Sequence, residues 1–426
     1  MGGNEDTLTD ADGEGNKRSR GAEMLNPQGL LPHDSLPPAA IQKPHHKTGE
    51  LTWVEVSKSA LENNIRQFRK SIGSSTILCP CVKANAYGHG LVGTAKIFLS
   101  SGADWLSVSA IYEARALRKA GITAPLYILG YVPGDAIQEA VALDCRLAVY
   151  NYETVKAVGE IAAQSGRTAR VHIKVETGSN RQGICPAELI PFARYIKSFK
   201  NIELEGLSTH FANIEDTTDH SFAQLQIARF EKAAGDLAAA GIDIPVKHCA
   251  NSAATILFPK TRFHLVRVGI SVYGMWPSNE TYVSYLHGQH NNFKLIPAFT
   301  WKTKIAQTKT VSAGEYIGYG CTYKTSHPTR LAIVPVGYYD GYDRSISCGY
   351  VLIHGKRASI RGRICMNILM VEITDIPEAA IEDEVVLIGR SDDEGISAEQ
   401  FAQWAGTINY EVTTRVNDRI PRLMVE

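Results

Sequence analysis

Lys83 is the residue of this chain whose position most directly suggests covalent chemistry. It follows the apolar run Ile77–Val82, and the turn at 87–90 (YGHG) comes shortly after it. A lone lysine at a strand end is usually a solvated charge. In α/β folds, however, reactive groups are placed at the carboxyl ends of strands. Apolar neighbours disfavour the ammonium form, and a neutral amine can form a Schiff base with a carbonyl compound. Tyr87 could offer its hydroxyl to an anion such as phosphate.

Further polar residues follow later apolar runs, which are candidate strands of the same fold. Their side chains should lie at the same edge as Lys83, where the strands end. The segment 174–183 (KVETGSNRQG) follows the fifth strand, His210 follows the sixth, Ser252 the seventh and Arg267–Ile270 the eighth. Arg181 can give two parallel N–H bonds to a carboxylate, which a lysine does less well. The loops after strands seven and eight are the usual phosphate site of a barrel. The candidate phosphate ligands there are Ser252, Gly269 and Ile270.

The nine residues Val82–Gly90 strongly resemble the cofactor-attachment motif of alanine racemases. The segments at 174–183, 210, 251–252 and 267–270 resemble segments of that family in the same order, and the similarity covers nearly everything from 51 to 426. The resemblance implies that Lys83 binds pyridoxal 5'-phosphate and that the protein is an isomerase that racemises L- and D-alanine, supplying D-alanine. The residues that would contact the cofactor are Lys83, Tyr87, His210, Ser252, Arg267, Gly269 and Ile270.

The resemblance also implies residues that contact the substrate or support the site. Arg181 and Met366 would contact the amino acid, and Arg181 would also steady the cofactor's phenolic oxygen. Lys174 matches a lysine that several members carry as a carbamate, although an ordinary ion pair with Glu176 or another acid is the alternative. Tyr338 lies in a segment that looks like those lining the path of the substrate.

Arg267 would face the pyridine nitrogen of the cofactor by this resemblance. A guanidinium does not give up its proton in proteins, so the ring nitrogen would stay unprotonated and the ring would be a weaker electron sink. Rapid reprotonation would then be favoured over transamination. His210 resembles the family's histidine that links this arginine to a catalytic tyrosine, and a buried structural histidine is the alternative.

Racemisation must remove a proton from one face of the α-carbon and return one to the other face. One immobile base cannot do both, so two bases on opposite faces are expected. Lys83 is one, and the family places the tyrosine of the segment 316–323 (YIGYGCTY), Tyr319, opposite. Because family members build the site from two chains, we expect a homodimer in which Tyr319 and Met366 come from the neighbouring subunit.

Three departures from the family pattern bear on the substrate. Asn367 stands where many members have Asp, Asn180 and Gln182 flank Arg181, and Asp418 replaces a tyrosine that touches the phosphate and narrows the inner gate. A short carboxylate at 418 could widen the pocket. A serine racemase or a racemase of broad specificity on the same scaffold is therefore the alternative to strict alanine specificity.

Other kinds of pyridoxal-phosphate protein are less compatible with the sequence. Decarboxylases and D-amino-acid aldolases are the alternative enzymes, and barrel-only proteins of pyridoxal-phosphate homeostasis are the alternative without catalysis. The tyrosine motif around Tyr319 argues against all of them. We expect no metal site, since no clear cluster of zinc or manganese ligands is present.

These residues need a scaffold that brings strand ends together. From about Thr76 to Ile270, short β-rich runs alternate with helical patterns, which predicts a (β/α)8 barrel of the TIM type. A doubly wound sheet would more often have a glycine-rich turn after its first strand. From 291 to 426, β-branched runs separated by turns predict a C-terminal all-β domain. The barrel domain would span 51–290, and its residues 51–57 would be a strand of the β domain or pack beneath the barrel. The candidate strands end near Lys83, Ser109, Gly130, Val149, Val175, Thr209, Cys249 and Val268.

Composition limits the remaining possibilities. The 426 residues carry a formal net charge of zero and show no basic stripe, so that nucleic-acid binding is not expected. No apolar window is long enough to span a membrane. Residues 1–50 are polar and without a secretory signal, and we expect a disordered tail. The eight scattered cysteines suit a reducing, cytoplasmic location.

Overall fold

The structure is a computed structural model that describes residues 49–288 and 293–426. Residues 1–48 of the expected tail lie outside the described residues, and so does the expected domain boundary between 290 and 291. The first described strand is β1 (Thr52–Ser57). β1 pairs with strands of the second domain and not with those of the first.

Eight short parallel strands form the first domain. They are β2 (Ile77–Leu78), β3 (Leu106–Val108), β4 (Leu126–Ile128), β5 (Cys145–Val149), β6 (Ala169–Lys174), β7 (Ile202–Ser208), β8 (Val246–His248) and β9 (Leu265–Val266). β3 to β8 pair in sequence order and β2 pairs with β9. A bridge between Cys81 and Ser107 and the bond from His264 N–H to the Lys247 carbonyl close the ring. The predicted (β/α)8 barrel is therefore confirmed.

Helices surround these strands, and their ends carry recognisable sequence signals. The Asn151 side chain caps α6 by accepting from the Thr154 N–H, and Gly166 ends it in a left-handed conformation. The helical segments are α1 (Lys58–Ile72), α2 (Lys83–Tyr87), α3 (Leu91–Ser100), α4 (Ile111–Lys119), α5 (Ile137–Ala142), α6 (Tyr152–Ser165), α7 (Leu189–Lys197), α8 (Ser221–Ala239), α9 (Ser252–Leu257) and α10 (Asn279–His287), with single 3₁₀ turns at Gly134–Ala136, Pro186–Glu188, Pro259–Thr261 and Ile270–Tyr273.

The second domain is built on a large mixed sheet, in which β1 and β20 are parallel, a three-stranded antiparallel sheet and the short antiparallel pair β12-β13. Its strands are β10 (Phe299–Lys304), β11 (Gln307–Val311), β12 (Tyr316–Ile317), β13 (Tyr323–Lys324), β14 (Thr329–Val334), β15 (Tyr350–Ile353), β16 (Lys356–Ser359), β17 (Leu369–Glu372), β18 (Glu384–Ser391), β19 (Glu394–Ile396) and β20 (Arg422–Val425). The larger sheet has the order β16-β15-β18-β10-β1-β20, and the smaller has β11-β14-β17. β1 thus lies between β10 and β20, so the described chain leaves this sheet, forms the barrel and returns to it.

The second domain is mostly β rather than all-β, because it contains two helices, α11 (Ala398–Ala405) and α12 (Asn409–Arg415). Ser397 caps α11 by accepting from the Gln400 N–H at 3.1 Å, and Gly406 ends it in a left-handed conformation. Phe401 and Ala402 give the helix a buried apolar face. These signals were present in the sequence but were outweighed by the β-branched runs around them. In the part of the chain that the structure describes, no helix is long and apolar enough to cross a membrane.

Candidate active site

The backbone after Lys83 has an unusual conformation. Ala84, Asn85, Ala86 and Tyr87 have φ values of 53°, 53°, 55° and 52°, so that the segment α2 is a left-handed turn made without glycine. Such a conformation costs about 1–2 kcal/mol for each residue with a side chain. Surrounding groups must therefore hold the turn that presents Lys83.

Glu113 is the buried group that holds the front of this turn. It is only 1% exposed, and its carboxylate oxygens accept from the Ala84 N–H at 2.6 Å and from the Ser109 N–H at 2.7 Å. A third bond comes from the Ala110 N–H at 3.1 Å. Glu113 therefore ties the residue after Lys83 to the carboxyl end of β3, the neighbouring barrel strand.

His89 holds the far end of the turn. Its Nδ1 lies 3.1 Å from the Ala86 carbonyl oxygen and 2.9 Å from the Tyr87 carbonyl oxygen, and since both can only accept, Nδ1 carries the hydrogen. The ring packs against Tyr273 and Phe299. Burial lowers the pKa of His89 to about 4. His89 is therefore a neutral structural histidine and not an acid–base group.

A cavity of about 480 Å³ opens at the carboxyl ends of the barrel strands. It brings together nine of the residues that the sequence singled out: Lys83, Tyr87, Lys174, Arg181, His210, Ser252, Arg267, Gly269 and Ile270. They come from five different strand ends, at the rim where a barrel places its chemistry. The side chains that were predicted to lie at one rim therefore line one cavity.

One corner of the cavity is suited to a phosphate. The Ser252 hydroxyl accepts from the Gly269 N–H at 3.0 Å, and the Tyr87 hydroxyl lies over the same glycine, where an added Cβ would be 2.5 Å from its oxygen. Only glycine leaves this space open. Ile270 then begins a 3₁₀ turn. Two hydroxyls beside a glycine that leaves this space open are donors that fit a phosphate dianion.

Arg267 lies at the bottom of the cavity and is 8% exposed. Its guanidinium donates to the Thr209 carbonyl at 2.7 Å and to Nδ1 of His248. His210 also lines the cavity, and burial together with the charges of Arg267 and Arg181 holds its pKa well below the ordinary value. The histidine bonded to Arg267 is thus His248, which the sequence argument did not single out, and not His210.

Lys174 and Arg181 lie on another wall. The Lys174 ammonium donates to Gln182 Oε1 at 3.1 Å, and the Gln182 amide donates to the Tyr150 hydroxyl at 3.2 Å. Burial and the charges of Arg267 and Arg181 lower the pKa of Lys174 to about 8. Among the described residues, the hydrogen-bond partner of Lys174 is therefore an amide, while the Glu176 carboxylate accepts from the Gly178 N–H at 2.5 Å.

Four predicted residues do not line the cavity of their own chain. Tyr319 lies on a 3₁₀ turn (Tyr319–Cys321) between β12 and β13 and is 68% exposed. Met366 and Tyr338 are exposed on interlocked loops, where the Tyr338 N–H donates to the Cys365 carbonyl at 3.1 Å. Asp418 accepts from the Asn85 amide at 2.9 Å. Asp418 thus lies beside the lysine turn and not in the cavity wall.

Several contributing residues were missed from the sequence. Tyr410 and Thr414 of α12 line the cavity, as does Glu215, whose pKa burial raises. The Tyr410 ring is 6.1 Å from that of Tyr87. The sequence carries no capping signal for the start of α12, because Ile408 at its N-cap has no side chain that can accept a hydrogen bond. Glu113 had a weak signal, since it lies three residues after Ala110, at the position of a capping box.

Comparison with known proteins agrees with this geometry. The N-terminal domain of alanine racemases matches residues 56–277, and the C-terminal domain of alanine racemases matches residues 298–424. The alanine racemase of Methanococcus maripaludis is 40% identical over 372 residues, which are 87% of this chain and 98% of that protein. That of Symbiobacterium thermophilum is 41% identical over 374 residues, 87% of this chain and 96% of that protein.

Solved structures agree as well. The crystal structure of alanine racemase from Bacillus anthracis with bound L-Ala-P has a TM-score of 0.82 and 37% sequence identity to this chain. The match covers 88% of this chain and 95% of that chain. Both domains of the family are thus matched by this chain. The chain therefore belongs to the alanine racemase family.

Proposed function

We propose that this chain is an isomerase that interconverts L- and D-alanine with pyridoxal 5'-phosphate, using Lys83 and Tyr319 of the partner subunit as the two bases. The observation that carries the proposal is the cavity in which Lys83, the phosphate corner and two arginines meet. Similarity over both domains to proteins named alanine racemase supports the activity.

The residues present fit the cofactor. Lys83 would hold it covalently through Nζ, and Tyr87, Ser252, Gly269 and Ile270 would hold its phosphate in the corner described above. The bound cofactor withdraws electrons from the substrate and thereby makes its α-hydrogen more acidic. Arg267 would face the ring nitrogen, with one side of its guanidinium already bonded to protein acceptors.

Arg181 would bind the substrate carboxylate with two parallel N–H bonds. This fixes the orientation of the α-carbon between its two faces. Lys83 would act as a base only after the substrate amine has displaced its Nζ from the cofactor. The freed Nζ would take the α-proton on one face, and the Tyr319 hydroxyl of the partner subunit would give a proton on the opposite face; the roles reverse for the other enantiomer. Alanine is the proposed substrate, with the Met366 side chain limiting the space for its methyl group.

We propose a homodimer because one chain does not complete this site. Tyr319 is absent from the cavity lining of its own chain and is exposed. Other large apolar side chains of the same domain are exposed too: Tyr316, Tyr338, Tyr339, Met366 and Ile368. Exposed apolar surface commonly marks a protein interface, and we propose one here. A second copy seated there would bring Tyr319 and Met366 to the neighbouring cavity.

We propose that the protein resides in the cytoplasm. We also propose that the boundary between the two domains lies between residues 290 and 291. The argument for the compartment is that all eight cysteines are free thiols, four of them buried, which a reducing environment preserves. The argument for the boundary is that β10, the next strand of the large sheet, begins at Phe299.

The test of the activity uses the protein supplied with pyridoxal phosphate in deuterium oxide. L-alanine should lose its optical rotation while deuterium enters the α-position, and L-serine is run in parallel to rank the substrates. Lys83→Ala should abolish both changes together with the visible absorption band of the bound cofactor. Retention of that band in Lys83→Ala would refute the role of Lys83.

The test of the shared site mixes two inactive variants. A heterodimer of Lys83→Ala and Tyr319→Phe would contain one intact site, so random mixing should restore about a quarter of the wild-type activity. If Lys83 and Tyr319 of the same chain formed the site, mixing would restore nothing. Tyr319→Phe alone should slow proton exchange from L-alanine more than from D-alanine, and equal losses would argue against opposed bases.

A further inference from the structure

A column of polar side chains passes through the interior of the barrel below the cavity. It begins at Arg267, whose guanidinium donates to Nδ1 of His248. Nε2 of His248 lies 2.8 Å from Nδ1 of His172, and Nε2 of His172 lies 2.8 Å from Oε2 of Glu205. Arg146 Nε, 3.2 Å from the same oxygen, anchors the far end. Barrel interiors are normally filled by apolar side chains, and buried polar groups are costly unless they are fully paired.

The hydrogen-bond directions in this column follow from its two ends. The Glu205 carboxylate can only accept, so Nε2 of His172 must carry a hydrogen, and Nδ1 of a neutral His172 must accept. Nε2 of His248 is then the donor to His172, which leaves Nδ1 of His248 to accept from Arg267. The guanidinium can only donate, so both ends demand the same arrangement. Each histidine is thereby fixed in one tautomer.

The charges are consistent with this arrangement. Both histidines are fully buried, and burial lowers the pKa of each below its ordinary value, helped by the charge of Arg267. Burial raises the pKa of Glu205, but the bond from His172 and the charge of Arg146 outweigh it and lower the pKa overall. Two neutral imidazoles therefore join the Arg267 cation to the Glu205 carboxylate, which Arg146 also contacts at the far end.

The backbone is shaped to hold the column. His172 of β6 is paired in register with Gly206 of β7, directly after a register shift between Val171 and His172. A Cβ at Gly206 would lie 2.1 Å from Nδ1 of His172, so any larger residue would displace the ring. Tyr127 covers both imidazoles, with ring centroids 4.9 Å from His172 and 5.4 Å from His248.

We propose that Glu205 and His172 are positioning residues for Arg267, holding its guanidinium through His248 and supplying its counter-charge from the other side of the barrel. The part of this inference that concerns the cofactor rests on the proposed function, in which Arg267 faces the ring nitrogen. Arg267 has one edge committed to His248 and the Thr209 carbonyl. The column would prevent rotation of the guanidinium, so that its remaining N–H groups stay directed at the cavity.

The first part of the test uses the wild-type protein without cofactor, so it does not depend on any catalytic activity. With histidines labelled by nitrogen-15, nuclear magnetic resonance at neutral pH should show His172 and His248 as neutral imidazoles protonated at Nε2. Assignment comes from the loss of one set of signals in His172→Phe. A charged imidazole, or a hydrogen on Nδ1 of either residue, would overturn the proposed column.

The second part uses the protein with cofactor. Glu205→Gln keeps the shape and an accepting oxygen but removes the charge, and it should shift the visible band of the bound cofactor and lower kcat about tenfold with a smaller change in KM. Ile173→Val is the matched control, because Ile173 is the buried next residue of β6 and its side chain points to the opposite face. It should leave the band and kcat unchanged.

The two parts separate the possible failures. If the tautomers are as expected but Glu205→Gln behaves like Ile173→Val in both band and kcat, the positioning role of the column is refuted. If Glu205→Gln does not fold, Gly206→Ala provides the second perturbation, since it displaces the His172 ring without removing a charge, and it should produce the same direction of band shift. If the wild-type protein binds cofactor but does not racemise alanine, the proposed function fails while the tautomer result still stands.

Discussion

Replacement of His89 by asparagine should make the protein less sensitive to acid. His89 Nδ1 donates to two carbonyls of the lysine turn, and its Nε2 is buried without a hydrogen-bond partner among the described residues. A second proton would have to sit on Nε2, between the rings of Tyr273 and Phe299. Asparagine can keep a donor toward the carbonyls but cannot take up a proton.

The magnitude follows from the pKa of His89, which burial lowers from 6.5 to about 4. Because the folded-state pKa is lowered, the unfolded chain binds the proton first, and stability present above the unfolded pKa is lost as the pH falls. At about 1.4 kcal/mol per pKa unit, the loss reaches roughly 3 kcal/mol below the folded pKa. Between about pH 7.5 and about pH 5 it amounts to roughly 2 kcal/mol.

The assay is urea unfolding at these two pH values, at one fixed protein concentration because oligomer stability depends on concentration. The free energy of unfolding is measured for the wild type and for His89→Asn at both pH values. The change in this free energy between the two pH values is then compared between the two proteins. The asparagine variant should lose roughly 2 kcal/mol less stability on acidification than the wild type. Its stability at neutral pH should be lower, since the packing of the ring is lost.

The control removes a buried aromatic ring that is not packed on His89. Phe230→Leu, at a fully buried ring that packs on Phe263, should lower the free energy of unfolding by the same amount at both pH values. Other buried histidines also contribute to the acid sensitivity of the wild type, but they are present in every variant and cancel in the comparison. If His89→Asn and the wild type lose equal stability on acidification, the buried neutral state of His89 is refuted.

Three further predictions concern the cavity. Glu113→Gln leaves one amide oxygen for three backbone donors and should destabilise the apoprotein by about 1–3 kcal/mol in urea; an unchanged midpoint would show that Glu113 does not hold the lysine turn. Gly269→Ala puts a Cβ 2.5 Å from the Tyr87 oxygen and should raise the dissociation constant of the cofactor about tenfold in equilibrium dialysis. Gly235→Ala is the control, because the space around Gly235 is open, and it should leave this constant unchanged. Equal effects of the two substitutions would contradict the phosphate corner. Arg181→Lys should raise the KM for alanine at least about tenfold, because the two-pronged bond to the carboxylate is lost, and an unchanged KM would remove Arg181 from substrate binding.

The part of the site that could be predicted is local in sequence. Arg267 follows directly on β9, while Lys83 and Ser252 lie in the loops after β2 and β8, and parallel strands of a barrel end at one rim. The alternation of apolar runs and helical patterns was enough to infer that rim. Short strings of residues that resemble those of alanine racemases were enough to identify nine of the residues that line the cavity.

The part that could not be predicted depends on pairings across the fold. His172 and His248 are 76 positions apart, and nothing local indicates that their rings touch. Glu113 resembles an ordinary helix charge until its three backbone donors are seen. The left-handed turn at Ala84–Tyr87 is likewise invisible, because alanine and tyrosine have no preference for positive φ and are held there only by tertiary contacts.

The distribution of charge explains why this cavity suits an anionic cofactor and an amino acid. Four basic side chains line it, Lys83, Lys174, Arg181 and Arg267, against two acids, Glu215 and Glu411, and burial raises the pKa of Glu215. Of these cations, Arg267 has a counter-charge relayed through the barrel interior. The others face the open space, where a phosphate dianion and a substrate carboxylate would neutralise them. The charges that would attract the ligands, on Lys83, Lys174 and Arg181, are thus separate from the charge of Arg267, which the protein itself compensates. This separation lets Arg267 stay fixed whether or not substrate is present, while Arg181 at the exposed rim is free to take a new partner.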